Sequence, residues 1–234
     1  GGYKNEATRW LATVGGGERN TASGTVSWVA GGYANQATGW RSAVSGGENN
    51  VASGPASSVA GGGNNEASWY WAVVSGGYKN EASGRFASVS GGSQNLASGD
   101  YSSVSGGWLN VAAGQDSSVA GGRSNEAFGV RSSISGGYNN STTAEGAYAV
   151  VCGGGDNESG AWCSVVMAGR LNKATAALSA VSGGAKNVAN GSYSSISGGE
   201  YNSTPGYISS VSGGYNRSVS GDWDWAAGGL WQEQ

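Results

Sequence analysis

The sequence predicts an all-β protein, a parallel β-solenoid of about sixteen 15-residue coils with two short strands in each coil. Three observations carry this. A Gly-Gly pair recurs at 1, 16, 31, 46, 61, 76, 91, 106, 121 and 136, resumes at 153, becomes Ala168-Gly169, and returns at 183, 198, 213 and 228. Val or Ile fills the fourteenth place of fourteen repeats, and Asn the fifth place of fourteen. Forty-six glycines stand against two prolines, which excludes collagen, a fold that needs Gly at every third residue and abundant proline. The phase-locked Val and Asn positions argue against a flexible Gly/Ser linker, because disorder has no use for a register. The chain, 1–234, reads as one solenoid domain, with two extra residues inside Thr142–Ala147 and an atypical last coil or cap at 221–234.

Positions within a repeat are numbered from its first Gly as phase 1. Gly density rules out helix, whereas period-two alternation fits. Phases 4 to 8 read as one strand with phases 5 and 7 inward, and phases 11 to 15 as a second with phases 12 and 14 inward. Gly-Gly and the Ser-Gly at phases 8 and 9 read as the turns, where glycine adopts positive φ without steric cost. The phase-5 residues are Asn5, Asn20, Asn35, Asn50, Asn65, Asn80, Asn95, Asn110, Asn125, Asn140, Asn157, Asn172, Asn187 and Asn202. Inward and one per coil, they predict a structural ladder of stacked, hydrogen-bonded amides and no ligand role.

One Val, one Ala, one Ser and one Asn per coil make a meagre core, so an outer face is expected to be buried too. The outward phases differ. Phases 4 and 6 carry Lys4, Glu6, Arg19, Glu66, Lys79, Glu81, Glu126, Asp156, Glu158, Lys173 and Lys186, a solvated face. Phases 13 and 15 carry no charge in any repeat, and include Ser58, Ser88, Ser90, Ser103, Ser105, Ser118, Ser133, Ser135, Ser195, Ser197, Ser210 and Ser212. Beside them phase 11 forms a bulky stripe with Trp71, Phe86, Tyr101 and Tyr193. A small, uncharged strip edged by large side chains has the composition of a packing surface, and predicts a homo-oligomer.

Other aromatics line two edges, with Trp108 among the phase-3 residues and Trp69 beside the phase-10 residues. They suit packing against a neighbouring chain or stacking on the sugar rings of a host glycan. The chain has no His, its acids form no paired cluster, and the Asp positions of a calcium-binding nonapeptide are absent. No catalytic residue, metal ligand or cofactor is therefore assigned. Cys152 and Cys163 fall on neighbouring coils about four residues apart along the strand, too far for a disulfide. A net charge of -3 with sparse Lys and Arg argues against nucleic-acid partners, and no apolar stretch is long enough for membrane insertion. The chain starts inside the repeat without Met or signal peptide and reads as a processed or excerpted piece.

Repeats such as SVSGGSQNLASGDYSSVSGGWLNVAAG resemble the head repeats of trimeric autotransporter adhesins, the YadA-like heads, and related fibre proteins. The resemblance covers nearly all of the chain, which departs from the family in its longer repeat and in lacking a heptad stalk or anchor. It implies a left-handed roll, three chains packed side by side, and a place on a cell or virion surface. The resulting expectation is an extracellular structural or adhesive fibre segment, and not an enzyme. Ice binding through the flat Ser/Ala array is the alternative, and carbohydrate recognition along the aromatic edges the third reading.

Overall fold

The computed structural model describes residues 1–227 and is all-β, a parallel β-solenoid of about 15 turns with two strands per coil and no helix. The chain divides into two compact units, Gly1–Gly121 and Gly122–Gln234. In the first, strands at phases 6 and 7 run from Glu6–Ala7 to Val111–Ala112, and strands at phases 13 and 14 from Thr13–Val14 to Ser118–Val119. In the second, the corresponding strands run from Glu126–Ala127 to Val188–Ala189 and from Ser133–Ile134 to Trp225–Ala226. Pairing is parallel and holds phase against phase, as in Glu81↔Leu96 and Ser88↔Ser103.

The strands are two residues long, not the five of phases 4 to 8 and 11 to 15. What shortens them is a left-handed residue at phases 4 and 11 of every described coil, with φ between 52 (Lys4) and 64 (Trp223). That conformation turns successive amides in opposite directions along the stack. The Tyr3 amide donates forward to Gly17 O at 3.0 Å, and the Arg19 amide donates backward to Tyr3 O at 2.8 Å. Each corner thus bonds to the coils on both sides of it. The cost is steric, about 1–2 kcal/mol for each L-residue held there, and it falls on Val26 and Ile208 as well as on unbranched residues. Coil-to-coil bonding, not local preference, fixes these corners. Val26→Asn puts a residue that tolerates this conformation at φ 61, and should stabilise the chain by up to about 1 kcal/mol in urea unfolding. A lower midpoint would mean that the isopropyl group's packing outweighs the strain.

Five phases point inward. In the coil from Gly76, Asn80 is 1% exposed and Ala82, Ala87 and Val89 are 0%. The fifth is glycine at phase 9, which the sequence reading placed in a turn of positive φ. Gly84 is instead buried with φ outside the left-handed region, and a Cβ on it would lie 2.1 Å from Gly99 O. It is glycine because the next coil passes too close. Phase 2 is where positive φ occurs, +87 at Gly77 and +83 at Gly92. At phase 12 size matters more than polarity. Ser42 donates to Gly39 O at 2.9 Å, the hydroxyls of Ser27, Ser57, Ser102 and Ser117 find no partner, and Ala72 and Ala87 fill the same place.

The asparagine row is a ladder: amide meets amide where Asn20 Nδ2 donates to Asn5 Oδ1 at 3.2 Å, and the recurring bonds run to the backbone. Asn80 Nδ2 donates to Gly76 O of its own coil at 2.8 Å and to Gly92 O of the next at 3.0 Å. Its Oδ1 accepts the backbone amide of Asn95 at 3.0 Å. The left-handed residue at phase 4 leaves the phase-5 amide without a carbonyl, and the preceding Asn supplies the acceptor. The same three bonds recur at Asn35, Asn50, Asn65 and Asn157.

In the coils from Gly198 and Gly213 the phase-6 strand shrinks to the single bridges Val188↔Ser203 and Ser203↔Ser218. Pro205 stands at phase 8 and has no amide for the usual forward bond. Trp225–Ala226 pairs with Ser210–Val211, so 221–227 continues the stack. The rest of the expected cap lies outside the described residues.

Candidate functional site

Two faces and two corners follow from this register. On the outward side of the phase-13/14 strands, Ser58, Ser88, Ser103, Ser118, Ser133 and Ser210 are half-buried, and Ser195 is exposed. At phase 15, Ser90, Ser105, Ser135, Ser197 and Ser212 are exposed. Val73↔Ser88, Ser88↔Ser103 and Ser103↔Ser118 pair in the first unit, which sets these hydroxyls in straight rows. Larger side chains interrupt the strip: Trp28 is 43% exposed, Val73 36% and Met167 53%.

The phase 9–11 corner of the first unit gathers aromatic rings. Trp71 lies parallel to Phe86, with centroids 6.3 Å apart and planes at 2°, and Phe86 stacks on Tyr101 at 5.0 Å and 11°. Trp69 occupies the phase-9 place that Gly holds in most coils, and its ring meets Tyr70 edge to face at 6.0 Å. The Arg41 guanidinium lies 4.3 Å from the Trp40 ring centre, and Arg85 pairs with Asp100 at 3.5 Å. In the second unit Tyr193 and Tyr207 meet edge to face at 5.6 Å. Trp108 belongs to the opposite corner, where its Nε1 donates to Gln94 Oε1 at 2.7 Å.

That opposite corner, phases 3 and 4, sets cations against tyrosines. Lys4 lies 5.0 Å from the Tyr3 ring, Lys79 5.2 Å from Tyr78, and Arg123 5.6 Å from Tyr138. Lys186 reaches across one coil to Tyr201, and its hydrogen bond with that hydroxyl holds its ammonium above the ordinary lysine range. On the phase-6 face Lys173 Nζ meets Glu158 Oε2 at 2.7 Å, one coil away. These are exposed pairs, and solvent screening keeps their contribution small. Read singly, the charges look like a solvated face. The pairings of Arg123 with Tyr138, Lys186 with Tyr201 and Glu158 with Lys173 are visible only when residues fifteen apart are set side by side.

No protein-family model and no curated protein matches the chain. The surfaces must therefore be read from their chemistry. Among the described residues no three His, Cys, Asp or Glu side chains cluster, and no helix is long and apolar enough to cross a membrane. Cys152 is exposed and Cys163 half-buried, and both thiols are free.

Proposed function

We propose that this chain is a structural, self-associating segment of an extracellular fibre with an adhesive surface. The observation that supports the reading most is the face formed by phases 13 and 15. It carries no charge in any described coil, whereas the phase-6 face and both corners carry the acids and bases. An exposed, in-register strip of hydroxyls and methyls without a charge has nothing to oppose contact with a like surface. The aromatic rings at its phase-11 edge give such a contact a rim. Three copies around an axis is the arrangement implied by the resemblance to YadA-like heads.

Ser103→Glu tests the face. Position 103 is half-buried and outward, so the coil should fold while the added carboxylate obstructs association. Light scattering after size exclusion should give an oligomer for the wild type and for Glu81→Ser on the other face, and a monomer for Ser103→Glu. An oligomeric Ser103→Glu alongside a monomeric Glu81→Ser would move the interface to the other sheet. Ice binding is the second reading, favoured by the straight rows at Ser88, Ser90, Ser103 and Ser105. Thermal hysteresis from a monodisperse monomer would decide for it.

A further inference from the structure

We propose that a notch at Pro55–Ala56 in the first unit binds one carboxylated pyranose ring of an acidic polysaccharide, held between the Trp71 indole face and the Arg41 guanidinium. The corner residues of successive coils are aligned by backbone bonds: Ala56 N donates to Trp40 O at 2.7 Å, and Trp71 N to Pro55 O at 3.0 Å. Coil by coil the corner therefore reads Trp40–Arg41, then Pro55–Ala56, then Tyr70–Trp71. The middle coil offers no long side chain. Its neighbours stand two coil spacings apart, about 9.6 Å.

The walls differ in chemistry. Trp71, 56% exposed, is parallel to Phe86 of the coil after it, and Ala56 holds the same phase in the coil before it. Trp69, 51% exposed, adds apolar surface on the same coil. The C–H face of a pyranose is apolar and is removed from water against such a ring. Two coil spacings between positions 41 and 71 leave room for one chair and not for two stacked ones. On the opposite wall Arg41 rests on Trp40 and has no carboxylate partner among the described residues. At this corner of the first unit the other charges are Arg9, the Arg85–Asp100 pair, and Asp116 five coils away. An exposed guanidinium without a counter-ion, held 4.3 Å from an indole centre, favours a carboxylate as bidentate partner. A neutral sugar would leave that charge unanswered.

The test uses trigalacturonate as probe, its fully methyl-esterified form and cellotriose as comparisons, with calorimetry and tryptophan fluorescence as readouts. Trigalacturonate should bind the wild type, and the ester and cellotriose at least about tenfold more weakly, the worth of one charge-assisted hydrogen bond. Arg41→Gln should weaken trigalacturonate about tenfold, and Ala56→Leu, which fills the notch, should weaken it at least as much. Leucine is already held in the same left-handed place at Leu11 and Leu178. Arg41→Gln alters only an exposed contact and keeps the test decisive should Ala56→Leu misfold. Ser103→Glu should retain binding, which separates this site from self-association. No binding at millimolar probe, equal affinity for the ester, or full affinity in a folded Ala56→Leu would overturn the proposal.

Discussion

Replacing Asn80 by alanine is expected to destabilise its unit by about 3–6 kcal/mol, more than any side-chain truncation at the neighbouring core phases. The mutation removes three bonds and leaves two groups without a partner, the Gly76 carbonyl and the Asn95 amide, while Gly92 O keeps the Tyr78 amide at 2.9 Å. Asn80 and Asn95 are each 1% exposed, so water has no ready route to the Asn95 amide. Each orphaned group costs about 1–3 kcal/mol, whereas Val→Ala at phase 14 removes only apolar contact. Urea unfolding followed by circular dichroism gives the loss. Hydrogen exchange at the Asn95 amide locates it, since that proton should exchange faster by the same free energy. A loss below about 1 kcal/mol would show that the ladder is incidental to the fold. Asn80→Asp sharpens the test. It keeps the acceptor and the shape but sets a carboxylate against two carbonyls, so its folded pKa should rise. The damage should be complete above that raised value and partly recovered as pH falls through it.

Gly92→Ala should be nearly as damaging, and Gly91→Ala should be silent. The two positions are adjacent in sequence and alike in composition. A Cβ on Gly91 would meet nothing within 4 Å. A Cβ on Gly92 would sit 2.3 Å from Gly107 O and 2.6 Å from the side-chain nitrogen of Asn95, at φ +83. Gly107 O is the acceptor for both the Ser93 amide, at 2.9 Å, and Asn95 Nδ2, at 3.0 Å. The methyl group therefore displaces the atom that holds two coils together. Left-handed strain of about 1–2 kcal/mol and two broken bonds of about 1 kcal/mol each put the loss near 3–4 kcal/mol. The chain has made the milder change itself, since phase 1 is alanine at Ala168 while phase 2 is glycine in every repeat. Equal unfolding midpoints for the two variants would refute this account.

The parts of the fold legible in the sequence were those that depend on which residues point inward. Val at phase 14, Ala at phase 7 and Asn at phase 5 alternate with outward residues, and side-chain volume and polarity write that alternation directly. The left-handed corners were hidden because their occupants conceal them. Trp71, Val26 and Ile208 are residues that propensity would place in extended strand. A left-handed residue preceding an inward one leaves the alternation after it unchanged. Glycine at phase 9 misled for the opposite reason, since a turn and a close contact both ask for a missing Cβ. Among the candidate surfaces, the uncharged strip could be read from composition by phase. The rings of Trp71, Phe86 and Tyr101 fall at one phase, but their stacking depends on side-chain rotation, which no spacing encodes. Pro55 and Ala56 carry no chemistry of their own, and a notch there depends on their neighbours one coil before and one coil after.

The inserted pair Ala144-Glu145 shows how such a chain can change. Gly146 takes up the place that phase-9 glycine holds elsewhere, under the Gly129 Cβ position at 2.1 Å, and Tyr148 N returns to Val130 O at 2.8 Å. Pairing on either side, Ser141↔Glu158 and Val150↔Val165, is undisturbed. Corner length is thus decoupled from register, and the entropy of a longer loop grows only with the logarithm of its length. A chain built on this scaffold can vary its outer surface one corner at a time while the interior stays as it is.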